Sequence, residues 1–122
     1  MSELDLYLKR LIALADSKKA DDIRVYHVSE VSSLTDYVVV LSVENVIHCR
    51  SLDEAIKQDV VAYLKEVGDS QDISKPKSSG QSDSGWVIMD LNSVIVHIMD
   101  VEKRSFYTID ALYEKGALVY HP

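Results

Sequence analysis

The stretch GWVIMDLNSVIVHIMDVEKRSFY, residues 85–107, holds two apolar runs joined by Asn92-Ser93. Two strand-like runs around two turn-prone residues predict a hairpin. With a turn that tight, Leu91 faces Val94 and the pairing continues as Asp90 with Ile95, Met89 with Val96, Ile88 with His97, Val87 with Ile98 and Trp86 with Met99. Strand alternation then sorts the side chains onto two faces. One face carries Val87, Met89, Leu91, Val94, Val96 and Ile98, all apolar, and reads as core. The other carries Trp86, Ile88, Asp90, Ile95, His97 and Met99, and reads as a functional surface. Trp86 is the only tryptophan in the chain, and beside Ile88, Ile95 and Met99 it is either covered by the protein's own elements or presented as an interface anchor.

Working toward the N-terminus, YVVVLSV from Tyr37 is β-branched on both faces, as expected of a central strand covered on both sides. DDIRVYHV from Asp21 alternates Ile23 and Val25 with Arg24 and Tyr26, a second strand pattern, and SSLT (Ser32 to Thr35) connects the two. Ser2 with Asp5 has the form of a capping box. Leu4, Leu8, Leu11, Ile12 and Ala15 follow at helical spacing, which predicts a helix over residues 3–18. Asn45 is placed to cap a second, longer helix ending at Gly68, with Leu52, Ala55, Ile56, Val60, Tyr63, Leu64 and Val67 as its stripe. DSQDISKPKSSGQSDS, residues 69–84, is poor in apolar residues and rich in serine and charge, so a mobile loop is expected there. Beyond the hairpin, Thr108 is placed to cap a short helix carrying Ile109, Leu112 and Tyr113, closed by Gly116, with a variable tail over 114–122 that includes a candidate edge strand. Helices and strands in this order predict one α/β or α+β domain over residues 1–122, a mixed sheet packed with helices.

At 122 residues the chain can bury roughly two thirds of the surface its unfolded form exposes, so no staple is needed. The single cysteine, Cys49, cannot form an internal disulfide and reads as a buried structural thiol in a reducing compartment, with the cytoplasm expected. The N-terminus mixes Glu3 and Asp5 with Lys9 and Arg10, unlike a signal peptide or a membrane span. A net charge of −7 disfavours direct, sequence-specific nucleic-acid binding, which rests on cationic side chains, and suits a basic protein partner.

Motifs for catalysis are absent from this reading. Gly80 to Gly85 lacks the lysine and following helix of a phosphate loop. The histidines at 27, 48, 97 and 121 have no ligand spacing on one helix, so no metal, cofactor or catalytic set is expected. His97 and Asp90 share the mixed face and allow acid-base chemistry in principle. The alternative is a locally bonded histidine and an aspartate accepting turn amides. Arg104, near Asp100 and Glu102, reads as part of an ion pair or an interaction surface.

SSLTDYVVVLS, the long helix after it, and WVIMDLNSVIVHIMDVEKRSFYTIDALY together resemble the ribosomal silencing factor family, also called the Iojap family, over roughly residues 5–113. Ser32-Ser33 before Asp36-Tyr37, Trp86 with Asp90, Val96-His97, and Arg104 with Tyr107 carry the resemblance. It implies a fold similar to nucleotidyltransferases without transferase chemistry. It also implies a translation repressor that binds the large ribosomal subunit through its protein fourteen, blocks joining of the small subunit when nutrients are scarce, and is a homodimer when free. The resemblance places Trp86 and Asp90 on the ribosome-contacting surface and His97, Arg104 and Tyr107 near it; with the mixed face of the hairpin, the expected partner-binding set is Trp86, Ile88, Asp90, Ile95, His97, Met99, Arg104 and Tyr107. The alternatives are a large-subunit assembly factor that does not silence, and a nucleotide-dependent enzyme using Asp36, Asp90 and His97. The chain departs from the family pattern at Ser79-Gly80, at Val43-Glu44-Asn45 and at Tyr113.

Overall fold

Seven residues of alternating or doubly apolar character are enough to make each of the central strands, and two amphipathic helices cover one side of the sheet they form. A computed structural model describes residues 2–113 and 116–120. Helix α1 (Glu3–Ser17) begins at the Ser2 cap, whose Oγ accepts from the Asp5 amide at 3.1 Å while the Asp5 carboxylate accepts from the Ser2 amide at 3.4 Å. Strands β1 (Asp21–His27) and β2 (Tyr37–Val43) follow, then α2 (Val46–Val67), capped by the Asn45 side chain, which accepts from the His48 amide. Gly68 leaves α2 with a φ of 75°, the left-handed region that glycine enters without strain.

The predicted hairpin forms from β4 (Trp86–Asn92) and β5 (Val94–Asp100), and its register runs from Asp90 opposite Ile95 to Trp86 opposite Met99, as the alternation predicts. Asn92 turns the chain with a φ of 79°. The turn is tied to two other segments, because the Ser93 amide donates to the Asp72 carbonyl and the Ser93 carbonyl accepts from the amides of Asp36 and Tyr37. At the open end of the hairpin, Gly85 has a φ of 79° and any Cβ there would run into the Asp100 carboxylate, so only glycine fits before Trp86.

The six strands lie in the order β3-β4-β5-β2-β1-β6, with β2 parallel to β5 and the remaining pairs antiparallel. This is an α+β fold with a mixed sheet. One face packs under both helices. Tyr7, Leu8 and Leu11 of α1 and Leu52, Ile56 and Val60 of α2 meet Val39, Leu41 and the hairpin's all-apolar face, whose six predicted residues are all buried. Cys49 is buried in the same core, and burial pushes its thiol up to about 11.

Three features differ from the expectation. Residues 69–84 contain an edge strand, β3 (Ile73–Gln81), paired to β4, where a mobile loop was expected. Ile73 alone supplies a buried apolar anchor in that strand, and the hydrogen bonds come from β4, so composition does not register it. Lys75, Pro76 and Lys77 are residues that blunt a free sheet edge. A helix, α3 (Val101–Phe106), begins directly after β5, with the Asp100 side chain accepting from the Lys103 amide at 2.7 Å. Six residues are too few for a legible helical period. Finally, Ile109–Tyr113 is a 3₁₀ turn, and the Thr108 hydroxyl donates back to the Tyr107 carbonyl instead of capping it. The chain then adds a last strand, β6 (Ala117–Tyr120), at the β1 edge. The rest of the expected tail, Glu114, Lys115, His121 and Pro122, lies outside the described residues.

On the second face of the sheet, α3 and the 3₁₀ turn are held down by Arg104, which is only 7 % exposed. Its Nε and Nη2 donate to the two carboxylate oxygens of Asp110 at 2.8 and 2.9 Å. Its Nη1 donates to the Asp22 carbonyl at 2.7 Å and to the Ser42 hydroxyl at 2.9 Å. The partners expected from sequence proximity, Asp100 and Glu102, are not among these contacts. Tyr26 adds a hydrogen bond to Asp110 at 2.6 Å. Burial by itself would raise the Asp110 pKa, but the hydrogen bonds from Arg104 and Tyr26 and the charges of Arg104 and Arg24 outweigh it and hold the carboxyl below its ordinary value. Removing one member of a buried, hydrogen-bonded ion pair leaves the other uncompensated. Arg104→Ala should therefore lower the unfolding free energy by about 3 kcal/mol in urea denaturation. A loss below about 1 kcal/mol, the range of a surface pair, would show that the clamp does not hold these elements.

Candidate partner-docking face

The second face of the sheet is covered only in part. Tyr26, Val28, Val38, Val40, Met99 and Ile109 form a small core beneath the 3₁₀ turn, with Trp86, Ile95 and Tyr113 packed at its margin. This divides the residues expected to meet a partner. Met99 is fully buried, His97 is 4 % exposed and Arg104 is enclosed in its clamp, so these three do not present themselves at the surface. The correction has a simple cause: β5 lies between β4 and β2, and α3 with the turn after it folds back over the β5 end that carries His97 and Met99. Trp86, Ile88 and Ile95 are half-buried, while Asp90 and Tyr107 are exposed.

The accessible residues form a row. The Trp86 ring lies 5.1 Å from that of Tyr107, and Tyr107 lies 4.9 Å edge-on from Phe106. Tyr107 is 51 % exposed and Phe106 is 78 % exposed, with Val101 and Leu112 also exposed. Phe106 is not legible as a surface residue from the sequence, because α3 is too short to show a helical period and without α3 its side chain has no direction. Its signal was present as the only phenylalanine, adjacent to Tyr107. The three rings Trp86, Tyr107 and Phe106 are contiguous, which makes this row the candidate interaction surface.

The polar residues behind this row are held in local hydrogen bonds. The indole N–H of Trp86 donates to His97 Nδ1 at 3.2 Å, and His97 Nε2 lies 2.9 Å from the Tyr113 hydroxyl. Both ring nitrogens are engaged. Asp90 accepts from the Asn92 amide at 2.8 Å, a turn contact. Asp36 lines a separate polar cleft with Ser32, Thr35 and Ser93. Among the described residues no group of three His, Cys, Asp or Glu side chains is placed to hold a metal ion, and no helix is long and apolar enough to cross a membrane.

Burial lowers the His97 pKa from 6.5 to about 4, with the charge of Asp110 acting in the opposite direction and losing. The folded protein thus keeps the ring neutral while the unfolded chain binds a proton below about 6.5. Between those values the unfolded state holds more protons, so stability falls as pH falls through that window, by up to about 1.4 kcal/mol per pH unit. Urea midpoints measured from pH 7 to pH 4 should decline in the wild type and decline less steeply in His97→Phe. Equal slopes would show that His97 is not the group responsible.

Known proteins resemble the chain along nearly its whole length. The family model described as "Ribosomal silencing factor during starvation" matches residues 2–120. A Bacillus subtilis protein named ribosomal silencing factor RsfS is 27 % identical over 91 % of this chain and 87 % of its own. A Zea mays protein named Iojap, chloroplastic, is 26 % identical over 92 % of this chain and 45 % of its own. A crystal structure of a Chromobacterium violaceum protein superposes with a TM-score of 0.75 at 26 % identity, covering 98 % of this chain and 94 % of that one. Matched by that family's model from its first helix to its last strand, the chain belongs to the ribosomal silencing factor family.

Proposed function

We propose that this protein represses translation without catalysing a reaction. It docks the open half of its second sheet face on the large ribosomal subunit, at protein fourteen, and by its bulk keeps the small subunit from joining. The observation that carries this reading is the row of half-buried Trp86 and exposed Tyr107 and Phe106 on a chain whose relatives are named ribosomal silencing factors. Trp86, Ile88, Asp90, Ile95 and Tyr107 make contact, joined by Phe106, while His97, Met99 and Arg104 support them from beneath. A net charge of −7 favours encounter with a basic ribosomal protein. The action takes place in the cytoplasm, where subunits join. Off the ribosome, the same aromatic row is covered by a second copy of the chain, which sedimentation equilibrium over a dilution series tests; a monomer at all concentrations would remove the dimer.

Subunit joining followed on a gradient, with and without the purified protein, tests the repression directly. Added protein should shift material from joined ribosomes to free subunits. Normal joining, together with immature large subunits accumulating in a deletion strain, would instead make it an assembly factor. Aromatic anchors at interface centres typically account for about 2 kcal/mol or more on truncation. Trp86→Ala should accordingly weaken co-sedimentation with large subunits at least about thirtyfold, and unchanged co-sedimentation would take Trp86 out of the docking face.

A further inference from the structure

The contacts beneath the row do more than fill space. The indole N–H can only donate, so His97 Nδ1, 3.2 Å away, must accept. The ring proton then sits on Nε2 and is donated to the Tyr113 hydroxyl oxygen at 2.9 Å. Tyr113 stands on the 3₁₀ turn that Arg104 and Tyr26 anchor through Asp110, and its ring lies 5.9 Å from that of Tyr26. The direction of both hydrogen bonds from the turn to the indole is therefore determined, and their ends, Tyr113 and Trp86, pack against the apolar cluster of Val28, Val38, Val40, Met99 and Ile109. Such a site could be filled by apolar side chains, since a buried polar pair contributes little net stability over well-packed replacements. What the polar pair adds is orientation.

We propose that His97 and Tyr113 are positioning residues for Trp86: the Tyr113 hydroxyl holds the His97 tautomer, and that tautomer holds the indole in the orientation in which it docks. This rests on the docking role proposed above. Without the Tyr113 oxygen, the Nε2 proton is buried with no acceptor. The ring then escapes only by moving its proton to Nδ1, where it confronts the indole N–H donor to donor. In that second tautomer the indole loses its hold, and the missing oxygen makes it the favoured one.

The only tryptophan in the chain makes this measurable. Tyr113→Phe keeps the ring against Tyr26 and removes one oxygen. With its far-UV circular dichroism matching the wild type, the variant should show a shifted emission maximum and faster local depolarisation of Trp86. It should also bind large subunits about five- to tenfold more weakly, the scale of one buried hydrogen bond. In a Trp86→Phe background, which has no indole N–H, Tyr113→Phe should weaken binding no further. A residue that only stabilises the fold predicts losses that add in the double variant. Unchanged emission and depolarisation in Tyr113→Phe, or additive losses in the double variant, would overturn the positioning role. If Trp86→Ala binds subunits as the wild type does, the docking reading fails and the positioning role fails with it. An emission shift in Tyr113→Phe would in that case show that the hydrogen-bond path itself exists.

Discussion

Everything on this molecule is placed relative to the pairing of β4 with β5. The register is pinned at one end by the Asn92-Ser93 turn, whose backbone is bound by Asp72 from one side and by Asp36 and Tyr37 from the other. At the other end it is pinned by Gly85 and Asp100, which leave no room for a side chain between them. A slip of one residue would move Val94, Val96 and Ile98 from the helix-covered core to the opposite face and turn His97 into it. Because β5 also runs parallel to β2 along its whole length, the same slip would break a second ladder. The hairpin and the central sheet thus enforce one another, and the two faces keep distinct roles.

The second face is divided by a single cation. Arg104 connects α3, the 3₁₀ turn, β1 and β2 through Asp110, the Asp22 carbonyl and Ser42. A planar guanidinium with five donors is suited to this, since a lysine could not bind both oxygens of Asp110 and two further acceptors at once. The clamp covers the half of the face nearest β1 and leaves the half toward β3 open. The boundary between the halves runs through Trp86, which has His97 behind it and Tyr107 beside it. A half-buried indole at such a boundary is stiff where it is enclosed and available where it is not, and an anchor that loses little freedom on binding needs both properties.

Behind the aromatic row both His97 ring nitrogens are hydrogen-bonded, Asp90 accepts from the amide of its own turn, and Asp36 lines a different cleft. Phe106, Tyr107 and Leu112 are exposed on this side of the domain, as Leu34 and Ile47 are elsewhere on it.

The sequence by itself determined the elements whose signals are local and periodic: the capping box at Ser2, the α2 stripe ending at Gly68, the doubly apolar β2, and the hairpin with its register and its core face. These follow from alternation and turn chemistry within a few residues of one another. The resemblance carried by residues 5–113 determined the family. Tertiary structure alone decided the rest. Strand β3 exists because β4 offers it a ladder, not because residues 73–81 favour a strand. Helix α3 is too short to announce itself and depends on the Asp100 cap and on Arg104. Most of all, alternation assigns side chains to a face but cannot say what lies over that face. Whether Met99, His97 and Arg104 meet solvent was settled by a turn from residues 109–113, which returns across the sheet to bury them and leaves Trp86 at the edge.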